Sequence, residues 1–167
     1  MKTKTRRIAL LGILTSVSLV LSYIEAILPP LWSAVPGIKM GLPNIIIVLL
    51  LYRFSFRDAA VVSLIRISIM SLLFGNAMIF LYSFAGAALS LFVMATFKKM
   101  DFLSTVGVSI TGGVTHNLGQ IIVAIIIMQT KEIGYYMIVL AITGTIAGVL
   151  IGIVSAVVLR YFKKLRL

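Results

Sequence analysis

His116, Asn117 and Gln120 sit within one and a half helical turns of each other in "GGVTHNLGQ", residues 112–120, and Ile, Val and Leu dominate both flanks. His116 is the chain's single histidine. A neutral imidazole offers one hydrogen-bond donor and one acceptor, and a glutamine amide offers both. Together they can read a heteroaromatic ring or a quinone carbonyl. At about 100° per residue, Thr105, Ser109, Gly112, Gly113, His116 and Gln120 share one side of a helix, with Asn117 at its border. Val114, Leu118, Ile121 and Ile125 fall opposite. The spacing predicts a polar side turned into a helix bundle and an apolar side turned to lipid. Gly112, Gly113 and Gly119 are expected to clear room for a ligand beside the polar groups.

Arg66 poses the second chemical question. It lies in the middle of an apolar stretch, "SLIRISIM", where a charge costs several kcal/mol unless it is paired or reaches water. Glu25 closes the preceding long apolar run, Lys39 lies just beyond it, and Asn44 and Asn76 fall near the same end of neighbouring runs. A cavity lined by Glu25, Asn44, Arg66, His116 and Gln120, open to the outside, accounts for these residues. An internal Glu25–Arg66 salt bridge, with the amides as links between helices, accounts for them as well. The candidate substrate-binding set is therefore Glu25, Lys39, Asn44, Arg66, Asn76, His116, Asn117 and Gln120.

The elements that must position these groups follow from composition. Of 167 residues, 61% are hydrophobic, above the 45–50% usual in soluble domains, so the chain reads as one all-α membrane domain over 1–167. Fifteen basic residues against four acids give a net charge of +11. The charges cluster between apolar runs, which suits anionic lipid headgroups and not nucleic acid. With no cysteine, disulfides, thiolate metal sites and cysteine nucleophiles are excluded.

Six spans are expected, over about 7–28, 40–52, 58–74, 76–97, 102–128 and 135–162. The start resembles a signal peptide, but its apolar core is too long for one, and it reads as a retained first span. With six spans, twelve basic residues fall on one side: Lys2, Lys4, Arg6, Arg7, Arg53, Arg57, Lys98, Lys99, Arg160, Lys163, Lys164 and Arg166. The other side holds Lys39 and Lys131. The positive-inside rule then places both termini in the cytoplasm, and the chain is expected to be a multi-pass protein of the bacterial cytoplasmic membrane. The second span is short for a ~30 Å core. The Pro- and Gly-rich stretch over 29–41 before it either folds over the outer side or is a plain connector.

Small residues mark two packing stripes. Gly144, Gly148, Gly152 and Ala156 recur every four residues in the last span, which favours close packing within the chain's own bundle over a partner interface. Ala9, Gly12 and Ser16 form a candidate docking face on the first span.

Enzymatic signatures are missing from the sequence. It has no paired aspartate clusters to hold Mg²⁺ on a diphosphate, no phosphate-binding loop and no nucleophile elbow. One histidine and no cysteine also argue against a zinc site.

The stretches "PGIKMGLPNIIIVLLLY", "SLLFGNAMIFLYSFAGAALSLFVM" and "VGVSITGGVTHNLGQIIVA" closely resemble the Gx transporter family over nearly the whole chain. Its members are often labelled heptaprenyl diphosphate synthase component I and are similar to the substrate-binding S components of energy-coupling factor (ECF) vitamin transporters. The resemblance implies a six-helix fold with cytoplasmic termini, and makes Lys39, Gly41, Asn44, Arg66, Gly75, His116, Asn117 and Gln120 family-motif positions. It implies a non-enzymatic, substrate-binding subunit for uptake of a small molecule such as a vitamin or cofactor precursor. An ECF transmembrane coupling protein and two ATPases would be its partners. Two departures stand out: S components typically carry AxxxA in the first helix, where this chain has Ala9, Gly12 and Ser16, and the family pattern has Ala where this chain has Pro43. Some relatives look like the membrane partner in flavin-based extracellular electron transfer. That alternative implies quinone or flavin contact and a flavinylated or quinone-linked redox partner.

Overall fold

The computed structural model describes residues 2–28 and 40–164. Lys39 and the connector over 29–39 lie outside the described residues. Among the described residues, six α-helices follow one another: α1 (Lys2–Ile27), α2 (Asn44–Arg53), α3 (Phe56–Phe74), α4 (Ala77–Met100), α5 (Thr105–Met128) and α6 (Tyr136–Lys164). A 3₁₀ turn over Lys131–Tyr135 leads into α6. No strand occurs among the described residues.

The helix boundaries have local causes. Ser55, Asn76 and Ser104 each accept a hydrogen bond from a backbone N–H of the following first turn, capping α3, α4 and α5. Asp101 and Gln129 adopt left-handed conformations that end α4 and α5. Pro43 stands at the start of α2 with φ −64°, a conformation that proline pre-sets and that needs no N–H. The expected start of the second span at Met40 moves to Asn44, because Gly41 turns the chain with φ +74°.

Among the described residues, four helical stretches are long and apolar enough to cross a membrane: Lys4–Ile27, Ala77–Met100, Thr105–Met128 and Lys131–Lys163. The other two depart from plain spans. α3 has 19 residues but carries Arg57, Asp58 and Arg66. α2, with ten residues, is about 15 Å long, half of a ~30 Å hydrocarbon core.

Apolar on every side, α2 is buried on every side. Ile46, Ile47, Val48, Leu49, Leu50 and Leu51 are all buried, and α2 packs on α1, α3 and α6. Leu14, Ala59, Val62, Leu91, Met94 and Val108 complete the core around it. One end of the bundle gathers the basic residues. There Arg7 near the start of α1 donates to Asp58 in the first turn of α3 at 2.6 Å. Lys98 at the end of α4 donates to the Leu51 carbonyl at 2.5 Å and lies 5.3 Å from the centre of the Tyr52 ring.

α5 lies between α4 and α6 and makes the most extensive contacts of the bundle. Glycines set both crossings. A Cβ on Gly148 would stand 2.6 Å from Ile110 Cα, and one on Gly152 would stand 2.7 Å from Val106 Cα. A Cβ on Gly113 would collide with the Gly144 carbonyl. The α6 stripe is therefore spent inside the bundle, as its spacing suggested.

Candidate functional site

Because α2 reaches only half-way, no helix among the described residues continues the bundle axis beyond its first turn. A cavity of about 100 Å³ occupies that space, enough for several waters at about 10–15 Å³ each. Its wall is built helix by helix: Glu25 from the last turns of α1, Met40, Gly41, Pro43 and Asn44 from the entry to α2, and Arg66 from mid-α3. Ser83 comes from α4, and Gly113, His116, Asn117 and Gln120 come from α5. Thr143, Gly144, Ala147 and Ile151 come from α6.

Of the eight residues singled out from sequence, six meet at this cavity: Glu25, Asn44, Arg66, His116, Asn117 and Gln120. Asn76 is not brought to it. Its side-chain oxygen accepts from Ile79 N–H at 2.9 Å and caps α4, a role the residue type favours at a helix start. Lys39 is outside the described residues.

Internal bonds commit several of the polar groups. Glu25 Oε1 accepts from Gly41 N–H at 2.5 Å, tying the end of α1 to the turn before α2. Asn117 Nδ2 donates across to the Leu140 carbonyl of α6 at 2.7 Å. Thr143 Oγ1 donates to the Val139 carbonyl of its own helix at 3.1 Å. Gln120 Nε2 and His116 Nε2 are 3.3 Å apart, one turn from each other on α5. Arg66 feels the Glu25 carboxylate electrostatically, yet its Nε is enclosed and finds no hydrogen-bond partner among the described residues. An enclosed guanidinium N–H left unmet is costly.

Two expectations about α5 need correction. Of Gly112, Gly113 and Gly119, only Gly113 borders the cavity, and all three stand at close helix approaches. Cβ atoms there would meet Met94 and Ser90, the Gly144 backbone, and the Ala85–Gly86 backbone respectively. Close helix approach consumes that space. Ile121, placed on the lipid side by helical spacing, is buried, while Leu118 and Ile122 are exposed. With α4 and α6 covering two sides of α5, the lipid-facing strip is narrower than a two-sided partition assumes.

Ser83, Thr143, Ala147 and Ile151 were missed by sequence reading. Ser83 had a signal: it stands three residues before Gly86, whose missing side chain accommodates His116 and Gln120, so the two share the α4 face that meets α5.

The four acids occupy unrelated places: Glu25 at the cavity, Asp58 bonded to Ser55 and Arg7, Asp101 at the end of α4 and Glu132 exposed in the 3₁₀ turn. No group of three or more metal-ligating side chains converges among the described residues.

A family model described as heptaprenyl diphosphate synthase component I matches residues 14–158, a stretch that includes every cavity-lining residue. Searches of curated proteins and of solved structures return no match.

Proposed function

We propose that this chain, which belongs to the heptaprenyl diphosphate synthase component I family, is a membrane-embedded substrate-binding subunit that captures a small molecule for uptake and performs no synthase chemistry itself. The observation that carries this reading is the cavity. A mid-bundle space surrounded by apolar helices brings together Arg66, Glu25, Asn44, His116 and Gln120, and polar groups at that depth mark a substrate pathway by default. The dispersal of the four acids supports the non-enzymatic part, since diphosphate chemistry needs carboxylates grouped on Mg²⁺.

Energy for uptake would come from separate subunits, a transmembrane coupling protein and two ATPases. The α1 stripe suits such docking. Ala9, Gly12 and Ser16 are exposed, a Cβ on Gly12 would meet nothing within 4 Å, and Ser16 Oγ turns back to the Gly12 carbonyl at 3.0 Å. Another backbone can approach this face closely. In this reading the basic end faces the cytoplasm with both termini, and the cavity opens to the other side. The chain lacks cysteine, so single-cysteine variants report cleanly. A Cys at Lys131 should react with an impermeant reagent from outside, and one at Lys98 should not; the reverse pattern would discard the topology.

The decisive experiment is purification of the full chain in mild detergent, followed by mass spectrometry of whatever it retains. A small polar molecule held by the wild type and lost from Arg66→Leu supports substrate capture. A retained quinone, or a flavinylated protein in place of the coupling protein and ATPases, would assign the chain to electron transfer instead.

A further inference from the structure

We infer that Glu25 is a positioning residue: through the Gly41 N–H it holds the turn that starts α2, and so sets where the Asn44 amide stands on the cavity wall. The inference deepens the substrate-binding reading above and rests on it for what Asn44 does at the site.

Of the six helices, α2 is the least able to place its own start. It has ten residues, short of the ~12–15 at which an isolated helix becomes marginally stable. Ser55, Asn76 and Ser104 each give a side-chain cap to α3, α4 and α5, whereas Pro43 gives none to α2. Gly41 takes over that task. Its carbonyl accepts from Asn44 N–H at 2.8 Å, and its N–H donates to Glu25 Oε1 at 2.5 Å. Its φ of +74° is one that glycine adopts without strain. A Cβ on Gly41 would stand 3.3 Å from Asn44 Nδ2 and 3.1 Å from Ile151 Cδ1. Glu25 of α1, Asn44 of α2 and Ile151 of α6 therefore meet at this one residue, with the Asn44 amide packed beside it.

The two ends of α2 are held separately. At the basic end, Lys98 donates to the Leu51 carbonyl, and the residues from Ile46 to Leu51 are buried. At the cavity end, Gly41, Pro43 and Asn44 line the open space. Release of the Glu25 bond thus frees the cavity end of α2 and leaves the packed end in place. The Glu25 carboxylate also acts on Arg66 through its charge, but holding Gly41 needs reach and an acceptor oxygen, which a neutral amide supplies as well.

The test sets reach against charge. Glu25→Gln keeps the length and an acceptor oxygen and loses the charge. Glu25→Asp keeps the charge and is one methylene too short for Gly41. Hydrogen–deuterium exchange of the full chain in mild detergent reads the turn directly. Over 40–45, Glu25→Asp should exchange about tenfold or more faster than Glu25→Gln, with 48–51 as slow as in the wild type in both. The molecule that the wild type retains, quantified per chain by mass spectrometry, reads the consequence. Glu25→Asp should hold less of it than Glu25→Gln, and in an Asn44→Ala background the two should hold equal amounts. Equal exchange over 40–45 in the two variants, or faster exchange in Glu25→Gln, would overturn the inference and leave Glu25 acting on Arg66 by charge alone. Faster exchange over 48–51 as well would overturn it too, because Glu25 would then hold all of α2. A retention difference that persists in the Asn44→Ala background would remove Asn44 from the chain of effects. If the wild type retains nothing small, the substrate-binding reading falls, while the exchange rates still decide whether Glu25 holds the turn.

Discussion

Along the bundle axis, α2 and the cavity beyond its first turn occupy successive halves of one column, and they are built on opposite principles. The half at the basic end is filled by six consecutive buried aliphatic residues of α2, with Leu14, Val62, Leu91, Met94 and Val108 closing around them. The other half holds Glu25 and Arg66, three side-chain amides, two hydroxyls and an imidazole around a cavity. In a bilayer the packed half cannot rely on expulsion of apolar groups from water, because lipid is as apolar as leucine. Dense van der Waals contact and close backbone crossings hold it instead. The contrast suggests a division of labour: one half fixes the helix positions, and the other can then keep polar groups that would otherwise be too costly at that depth.

The strongest way to break this division is to spoil a backbone crossing. Gly148→Val places a side chain where Ile110 Cα stands 2.6 Å from the position of the first added atom. Backbone cannot yield as a flexible side chain can, so α5 and α6 must part. The expected loss is about 3 kcal/mol or more, read as a collapse of folded yield and thermal stability in detergent. Wild-type stability in Gly148→Val would show that the crossing does not hold the fold. Leu50→Ala tests the packed half itself. Its side chain is fully buried, and truncation should cost about 2–4 kcal/mol while the surviving folded protein binds ligand normally. Lost binding at full stability would erase the division between the halves.

The elements of this fold were legible in the sequence because runs of about 20 apolar residues and the basic clusters between them act locally. The six cavity residues were legible for a related reason: in an apolar chain each buried polar group is an exception that must be explained. What could not be read was which helix lies beside which. Gly112 and Gly119 looked like ligand space, since spacing along α5 does not say that α4 comes close enough to fill it. Ile121 was turned to lipid for the same reason. Asn76 looked like a cavity residue by depth, and the local demand for a cap on α4 won instead.

The charge pair sharpens the comparison from the polar side. Arg66→Leu should abolish ligand retention yet leave membrane insertion intact, because a leucine costs nothing at that depth and α3 has no other reason to fail. Neutralising Glu25 together with Arg66 separates the two explanations raised by the sequence. If the pair only balances itself, the doubly neutral protein should regain full function. If Arg66 reads the ligand, as its unmet Nε suggests, full function should not return.

His116 and Asn117 give the finest comparison, because they are adjacent in sequence and differ in what they face. His116 lines the cavity one turn from Gln120, with the two side-chain nitrogens 3.3 Å apart. Asn117 also borders the cavity, but its amide is spent on the Leu140 carbonyl of α6. His116→Ala should therefore weaken ligand retention by about 1–3 kcal/mol, the cost of a buried hydrogen-bond partner left unmet, with little change in thermal stability. Asn117→Ala should do the reverse on a smaller scale. Interhelical hydrogen bonds inside membrane proteins average about 0.6 kcal/mol, because the less folded state also finds partners in the bilayer. The variant should thus show a slight drop in thermal stability and near-normal ligand occupancy. Measuring occupancy and melting temperature on the same two preparations decides the assignment. Should His116→Ala cost stability and spare occupancy, the imidazole is a link between helices, and the binding surface must be sought on Arg66, Asn44 and Ser83 alone.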